Sequence, residues 1–258
     1  MVKNKSIQIT LILFMITILG LSVGCQQISP EATTDLPAST SSPSQTPSDG
    51  FTNARKKMVQ LQIQARGIQD AAVLEAMREV PRHKFVPDKH LDQAYADHPL
   101  PIGFGQTISQ PYIVALMTET LEVQPGDRVL EVGTGSGYQA AVLAEMQAEV
   151  YTVEIIPELA DQAREQLKEV GYTDVEVKNG DGYYGWEENA PYEKIIVTAA
   201  PDHLPQPLIQ QLKEGGRLVI PIGPIGAVQT LWLYEKIEGE IQTKNLGAVR
   251  FVPLTGEH

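Results

Sequence analysis

Cysteine is almost absent from this sequence, because its 258 residues contain only Cys25. A single cysteine excludes an intrachain disulfide and a zinc site built from several cysteine ligands. The fold therefore depends on a hydrophobic core. With 42% hydrophobic residues, the chain is long enough for one sizeable globular domain and additional terminal segments.

Basic residues are also few. The chain has 20 lysines and arginines against 32 aspartates and glutamates, which gives a formal net charge of -12 at pH 7. Binding to nucleic acid depends on clustered lysine and arginine side chains, and the sequence has no such cluster. We therefore expect no nucleic-acid partner, and we relate the acidity to solubility.

Only one long hydrophobic run is present, at residues 7–21. It follows a basic start and precedes residues 22–25 (SVGC), which is typical of a signal peptide. The position of Cys25 resembles the lipobox of bacterial lipoproteins, although Ser22 replaces the usual leucine. We predict that residues 1–25 are a signal peptide with lipidation at Cys25, which would anchor the protein to a membrane. The alternatives are an uncleaved anchor, an ordinary secretory signal and a misassigned start codon.

Residues 26–50 contain no aromatic, lysine or arginine residue and are rich in proline, serine and threonine. Such a segment cannot bury enough apolar surface to fold, so we predict a disordered tether. The folded domain is then residues 51–258. It should open with two helices capped by Asn53 and Asp70, the first of them ending at Gly67.

The most informative stretch is residues 129–146 (VLEVGTGSGYQAAVLAEM). An apolar run, three glycines at Gly133, Gly135 and Gly137, and an alanine- and leucine-rich segment predict a strand, a tight turn and a helix. The glycines allow a ligand to approach bare backbone at a helix start. Tyr138 stands where the dinucleotide fingerprint G-x-G-x-x-G has its third glycine, so a phosphate-binding turn is not the favoured interpretation.

Three acidic residues follow predicted strands. Glu131 lies beside the glycine turn, and Glu154 ends the next strand, where a carboxylate can accept from both hydroxyls of a ribose. An acid at the mouth of the turn suits a cationic ligand, and the implied ligand is S-adenosylmethionine. Asp181, within residues 179–182 (NGDG), could accept from an adenine amino group; the alternative is an ordinary aspartate in a turn.

Residues 100–115 bring hydroxyl and amide groups to the start of a helix predicted over residues 111–121. This arrangement can form an anion site. The alternative interpretation is that Ser109 caps the helix, with Pro111 in its first turn. The spacing by itself favours the cap.

The remaining pattern predicts an α/β fold. Strands and helices alternate from residue 129 to about residue 223, and a hairpin of residues 228–237 and 241–244 follows. Repeated strand–helix units closed by a hairpin predict a mostly parallel sheet with an antiparallel strand near its edge.

Five blocks of the sequence resemble the protein-L-isoaspartate O-methyltransferase family, and the resemblance extends over residues 51–254. The blocks are residues 105–112 (GQTISQPY), 129–138 (VLEVGTGSGY), 179–182 (NGDG), 195–201 (IIVTAAP) and 250–254 (RFVPL). They occur in the order found in the family. This match is far more specific than one glycine-rich turn.

The resemblance implies a Rossmann-like class I S-adenosylmethionine-dependent methyltransferase fold with a helical N-terminal region. The implied reaction is methylation of the free α-carboxylate of L-isoaspartyl residues in damaged proteins and peptides, which leads through a succinimide to normal aspartate. S-adenosylhomocysteine is the implied product, and no metal is implied. We expect a monomer. Because the family is chiefly cytoplasmic, a cytoplasmic location is the alternative to membrane anchoring.

The resemblance also implies the site residues. The catalytic hydroxyl is that of Ser109, and the C-terminal block is expected to close over the ligands. The implied substrate-binding residues are Gln106, Thr107, Ile108, Ser109, Arg250 and Val252. The implied cofactor-binding residues are Glu131, Gly133, Thr134, Gly135, Glu154, Ile155, Asp181 and Gly182. Two other functions stay open: methylation of a different carboxylate, and ligand binding without catalysis.

Overall fold

The computed structural model describes residues 47–257, with side chains from residue 50. The predicted signal peptide with Cys25, and residues 26–46 of the predicted tether, lie outside the described residues. Among residues 47–257, no helix is both long enough and apolar enough to cross a membrane. The helices are α1 (Pro47–Met58), α2 (Ala71–Glu79), α3 (Pro111–Leu121), α4 (Tyr138–Glu145), α5 (Pro157–Glu169) and α6 (Gln206–Gln211). The strands are β1 (Leu100–Gly103), β2 (Gln106–Ile108), β3 (Arg128–Val132), β4 (Glu149–Glu154), β5 (Glu176–Asn179), β6 (Tyr192–Val197), β7 (Leu212–Ile222), β8 (Gln229–Ile237) and β9 (Glu240–Val249).

The first helix starts earlier than the sequence predicts. It begins at Pro47 and not near Asn53, so the last four residues of the predicted tether are helical. Proline is compatible with a first helical turn, and the Phe51 ring anchors this region by stacking on His83 at 4.1 Å. The helix continues through a π-helical turn and ends at Gly67 with a φ of 102°, as predicted.

The start of α2 follows the predicted cap. The Asp70 side chain accepts a hydrogen bond from the Val73 N–H at 2.9 Å, which satisfies a backbone donor at the helix start. The helix buries Val73, Leu74, Ala76 and Met77. The N-terminal helices therefore belong to the hydrophobic core of the domain.

The main sheet has seven strands in the order β5-β4-β3-β6-β7-β8-β9. Its first five strands are parallel, and β8 is antiparallel to both of its neighbours. The Rossmann-like, mostly parallel fold is confirmed. The structure adds a small antiparallel sheet of β1 and β2, for which the sequence analysis predicted no strands. It also extends β9 to Val249, beyond the predicted strand over residues 241–244.

The strand order places a crevice at the middle of the sheet. From β3 the chain moves outward through β4 to β5, then returns to the other side of β3 as β6. Ligands of open α/β sheets bind outside the carboxyl ends of the strands at such a switch point. The glycine turn after β3 and the ends of β4 and β6 meet there.

The central strands are buried on both faces. Val129 packs in one hydrophobic cluster and Leu130 in a second, and the adjacent strand repeats this alternation with Ile196 and Ile195. All four side chains are 0% exposed. Successive residues of a strand point to opposite faces, so the helices cover both sides of the sheet.

We expect Leu130→Ala to lower the free energy of unfolding by about 2–5 kcal/mol, because it leaves a cavity in the core. Leu61→Ala is the matched control, since Leu61 is 62% exposed. It should change the free energy by less than about 0.5 kcal/mol. Urea unfolding followed by circular dichroism measures both variants. Equal losses would contradict the packing described for Leu130.

Candidate active site

A pocket lies at the carboxyl ends of β3, β4 and β6. The glycine turn forms its floor, β2 and the start of α3 form one wall, and the C-terminal segment covers it. The lining residues are Gln106, Thr107, Ile108, Ser109, Val114, Glu131, Val132, Gly133, Thr134, Gly135, Ser136, Tyr138, Gln139, Val153, Glu154, Ile155, Ile156, Gly182, Thr198, Ala199, Val252, Pro253, Leu254 and Thr255. All predicted substrate-binding and cofactor-binding residues except Asp181 and Arg250 are in this set.

The turn after β3 requires glycine for two reasons. Gly133 and Gly135 have φ angles of 97° and 54°, in the left-handed region that favours glycine. A Cβ atom on Gly133 would also lie 2.6 Å from the hydroxyl oxygen of Thr198. That hydroxyl donates to the Gly133 carbonyl at 2.6 Å. The turn is therefore held against the end of β6.

Glu131 is a completely buried acid in this pocket. Its Oε2 accepts from the Thr152 hydroxyl at 2.6 Å, and the Thr134 and Thr152 hydroxyls are 2.7 Å apart. Its Oε1 has no hydrogen-bond partner among the described residues. Burial raises the pKa of Glu131 to about 8, and the nearby charge of Glu154 adds to the increase. A cationic ligand would stabilise the charged carboxylate and supply the missing interaction.

Glu154 connects the end of β4 to the glycine turn. Its Oε2 accepts from the Gly135 N–H at 2.8 Å, and its Oε1 accepts from the Ile156 N–H at 3.0 Å. An ionised carboxylate has about four acceptor sites, so these two bonds leave acceptor capacity toward the pocket. The arrangement fixes the turn and presents an acceptor to ligand hydroxyls.

Asp181 is placed differently from the other predicted cofactor residues, because it does not line the pocket. Its Oδ1 accepts from the Tyr183 N–H at 3.0 Å, and its Oδ2 accepts from the Glu257 N–H at 3.2 Å. The carboxylate thus caps the short turn Gly182–Tyr184 and holds the C-terminal segment. Gly182 itself lines the pocket. The observed hydrogen bonds of Asp181 agree with the alternative interpretation, in which it is an ordinary aspartate in a turn.

Ser109 is half-buried between β2 and α3. The cap interpretation is wrong, because Gln110, and not Ser109, occupies the N-cap position of the helix. The helix begins one residue later than it would if Ser109 were the N-cap residue. No described residue forms a hydrogen bond with the Ser109 hydroxyl, which lines the pocket next to Gln106, Thr107 and Ile108 of β2. This hydroxyl can donate to a ligand.

A groove of about 790 Å³ adjoins the pocket on the side of α3 and β9. Arg250 lines this groove and not the pocket, and its side chain is exposed. The two cavities share Thr107, Ser109, Thr198 and Val252. A group bound in the groove can therefore meet a group bound in the pocket at the Ser109 hydroxyl.

The C-terminal segment is attached to the end of β6. The Ala200 N–H donates to the Val252 carbonyl at 2.8 Å, and the Leu254 N–H donates to the Ala200 carbonyl at 2.9 Å. The Phe251 N–H donates to the Gln229 side chain at 3.0 Å. These bonds keep residues 252–255 over the pocket, consistent with the position expected for the C-terminal block.

Sequence reasoning did not single out Thr198 or Gln139 as site residues. Thr198 interrupts an apolar strand end and lines both cavities, and Gln139 is a buried amide in an apolar helix. Its Nε2 donates to the Thr118 hydroxyl at 2.9 Å. A polar residue in an otherwise apolar buried segment was the available signal in both cases.

The fold and the acid-lined glycine turn define a class of protein, the Rossmann-like methyltransferases. The sequence profile of the "Protein-L-isoaspartate(D-aspartate) O-methyltransferase (PCMT)" family matches residues 53–258. The chain belongs to this family.

Individual relatives agree with this assignment. The chain is 58% identical over 202 residues to the protein-L-isoaspartate O-methyltransferase of Picosynechococcus sp., covering 78% of this chain and 90% of the relative. It is 59% identical over 204 residues to the enzyme of the same name from Methanoculleus marisnigri, covering 79% and 92%.

Solved structures give the same family. A protein-L-isoaspartate O-methyltransferase is similar with a TM-score of 0.72 and 32% identity, covering 78% of this chain and 66% of that one. A Plasmodium falciparum structure, described as a putative protein-L-isoaspartate O-methyltransferase in complex with S-adenosyl-L-homocysteine, has a TM-score of 0.68 and 29% identity. That comparison covers 78% of this chain and 98% of the other.

The raised pKa of Glu131 predicts a pH-dependent stability. Between pH 4.5 and about 8 the folded protein holds a proton on Glu131 that the unfolded chain releases. The contribution of the protonated carboxyl to stability is therefore complete below pH 4.5 and is lost as the pH rises to about 8. Glu131→Gln cannot ionise. The melting temperature of Glu131→Gln, relative to that of the wild type, should therefore increase as the pH rises from about 5 to about 8.5.

Thermal unfolding of both proteins without ligand, measured across this pH range, tests the prediction. Glu240→Gln is the control, because Glu240 is an exposed residue at the start of β9. Its melting temperature should follow that of the wild type at every pH. A constant difference between Glu131→Gln and the wild type would contradict the prediction.

Proposed function

We propose that this protein transfers a methyl group from S-adenosylmethionine to the free α-carboxylate of L-isoaspartyl residues in damaged proteins and peptides. The methyl ester then favours succinimide closure, and hydrolysis returns part of the product to normal aspartate. The observation that carries the proposal is the position of Ser109. Its hydroxyl, which has no hydrogen-bond partner among the described residues, lies where an acid-lined pocket meets a groove large enough for a peptide segment.

The residues of the pocket fit the cofactor. Glu131 has a buried oxygen without a partner, which a cation beside it would satisfy, and Glu154 retains acceptor capacity for ribose hydroxyls. Gly133 and Gly135 leave no side chain between the ligand and the backbone. When bound, S-adenosylmethionine supplies an electrophilic methyl group on a sulfonium sulfur. The proposed cofactor-binding residues are Glu131, Gly133, Thr134, Gly135, Glu154, Ile155, Asp181 and Gly182.

The proposed role of Asp181 is narrower than that of Glu154. Two backbone N–H groups already occupy its carboxylate, so a contact to the adenine amino group would use its remaining acceptor capacity. Its bond to Tyr183 also shapes the turn in which Gly182 lines the pocket. The acid therefore supports the adenine end of the pocket through the backbone as well.

The substrate needs positioning more than activation. A peptide α-carboxylate has a pKa of about 3.5 and is ionised at neutral pH, so no strong general base is required. We propose that the Ser109 hydroxyl donates to this carboxylate and directs one oxygen toward the pocket, without covalent attachment. Orientation of this kind can contribute roughly 7–11 kcal/mol in favourable systems. Gln106, Thr107, Ile108, Arg250 and Val252 complete the proposed substrate contacts.

The groove favours a peptide substrate over a small carboxylic acid. Its volume of about 790 Å³ extends from Ser109 along α3 and past Arg250 to β9, beyond the space that one carboxylate needs. An isolated small acid would leave most of this surface uncovered. The C-terminal segment, which supplies Val252 to both cavities, joins peptide binding to cofactor binding.

We predict that Ser109→Ala lowers kcat/KM for an isoaspartyl peptide by about 10- to 1,000-fold, because a hydrogen bond that orients the nucleophile is lost. Thr243→Ala is the matched control, since it removes an exposed hydroxyl of β9 outside both cavities. Transfer of labelled methyl groups is measured with an isoaspartyl peptide and its normal aspartyl counterpart. Unchanged kinetics in Ser109→Ala would remove the proposed role of Ser109. Equal methylation of the two peptides by the wild type would contradict the proposed substrate.

We also propose that residues 1–25 direct export and that lipid on Cys25 holds the domain at a membrane through the following tether. The support is the hydrophobic run of residues 7–21 and the small residue before Cys25. A cytoplasmic location, as in most of the family, is the alternative.

Labelling of cells with a radioactive fatty acid, followed by fractionation, should give labelled protein in the membrane fraction. Cys25→Ser should abolish the label, because serine lacks the thiol to which the lipid is attached. Ser22→Ala is the matched control, since it changes the same segment and leaves the thiol in place. Wild-type protein without label, found in the cytoplasmic fraction, would contradict lipidation.

A further inference from the structure

A fixed arginine stands on the groove wall next to the start of α3. The Arg66 guanidinium lies 3.4 Å from the centroid of the Tyr112 ring, and its Nη1 donates to Asp97 Oδ2 at 2.6 Å. The other oxygen of Asp97 accepts from the Tyr112 N–H at 3.3 Å. Stacking and ion pairing together fix the plane of the guanidinium.

The groove presents positive charge although the whole chain has a net charge of -12. Its lining residues include Arg66 and Arg250 but no aspartate or glutamate. Asp97 does not line the groove, and its side chain is only 24% exposed, against 44% for Arg66. The acid of the pair is thus the less accessible member, and the guanidinium is the member that a ligand in the groove meets.

Arg66 also has unused donors. A guanidinium has five N–H donors, and Asp97 is the only described hydrogen-bond partner of Arg66. The remaining N–H groups suit a carboxylate, which guanidinium binds in a two-pronged geometry. A carboxylate in the groove would therefore add to the ion pair with Asp97 without replacing it.

We infer that Arg66 is a specificity-determining residue that binds an acidic side chain next to the isoaspartyl residue of the substrate. This inference rests on the proposed function. Ser109 and Arg66 line the same groove, and Tyr112, which Arg66 contacts, is three residues after Ser109. This separation puts the Cα atoms of Ser109 and Tyr112 no more than about 10 Å apart, which is the reach of about three residues of extended peptide. The acidic side chain is therefore expected within about three residues of the isoaspartyl residue.

A purely structural role for Arg66 would have a different consequence. The residue joins the end of the first helical segment to Asp97 and, through it, to α3. If this were its only role, substitution would lower activity on every peptide by the same factor. The dependence of KM on peptide charge therefore separates recognition from structural support.

The test uses isoaspartyl peptides with one glutamate, glutamine or lysine at each of the three positions on either side of the isoaspartyl residue. Wild-type enzyme should prefer glutamate over lysine by about 10-fold in kcat/KM at one or more positions, mainly through KM. Arg66→Gln should abolish this preference, Arg66→Glu should reverse it, and Arg66→Lys should retain part of it. Raising the ionic strength to about 0.5 M should reduce the wild-type preference.

The control is Arg78→Gln, because Arg78 pairs with Glu75 on α2 and does not line the groove. It should keep the wild-type preference, and thermal unfolding shows that each variant is folded. Uniform loss of activity on all peptides in the Arg66 variants, or an unchanged preference in Arg66→Glu, would overturn the inference and leave the proposed function intact. Absence of methylation of every isoaspartyl peptide by the wild type would overturn both.

Discussion

The hydrogen bonds that hold the glycine turn to its neighbouring strands are the constraint on which the site depends. Glu154 accepts from the Gly135 N–H, and Thr198 donates to the Gly133 carbonyl. The last residue of β4 and the residue that follows β6 therefore hold the turn from opposite sides. The close approach of Thr198 leaves no room for a side chain on Gly133. The same contacts thus fix the backbone of the turn, the position of the Glu154 carboxylate and the junction of the pocket with the groove.

The fold and the pocket floor were predictable because their signals are local. A strand, a glycine turn and a helix follow one another within residues 129–146, and Glu131 and Glu154 lie at the carboxyl ends of consecutive strands of one parallel sheet. In such a sheet, neighbouring carboxyl ends meet at one edge. The family resemblance then supplied the substrate side, where spacing had favoured a helix cap over an anion site for Ser109.

The remaining features depend on contacts between distant parts of the chain, which periodicity cannot reveal. The pairing of Ala200 with Pro253 brings the C-terminal segment over the pocket, and the Glu257 N–H occupies the carboxylate of Asp181. The groove needs α3, β9 and the C-terminal segment together. Sequence patterns could place these elements in order, but not against one another. The early start of α1 has a similar origin, since Phe51 stacks on His83.

The two cavities show how one site can bind a constant ligand and a variable one. The pocket has buried acids and a rigid turn, and this suits a ligand whose shape and charge never change. The groove has exposed arginines and apolar side chains on a surface open to solvent, which suits peptides of many sequences. Screening limits the strength of such exposed charges. Under the proposed function, the groove can therefore bias the choice among damaged sites without excluding any of them, and the proposed contact with Ser109 is common to every substrate.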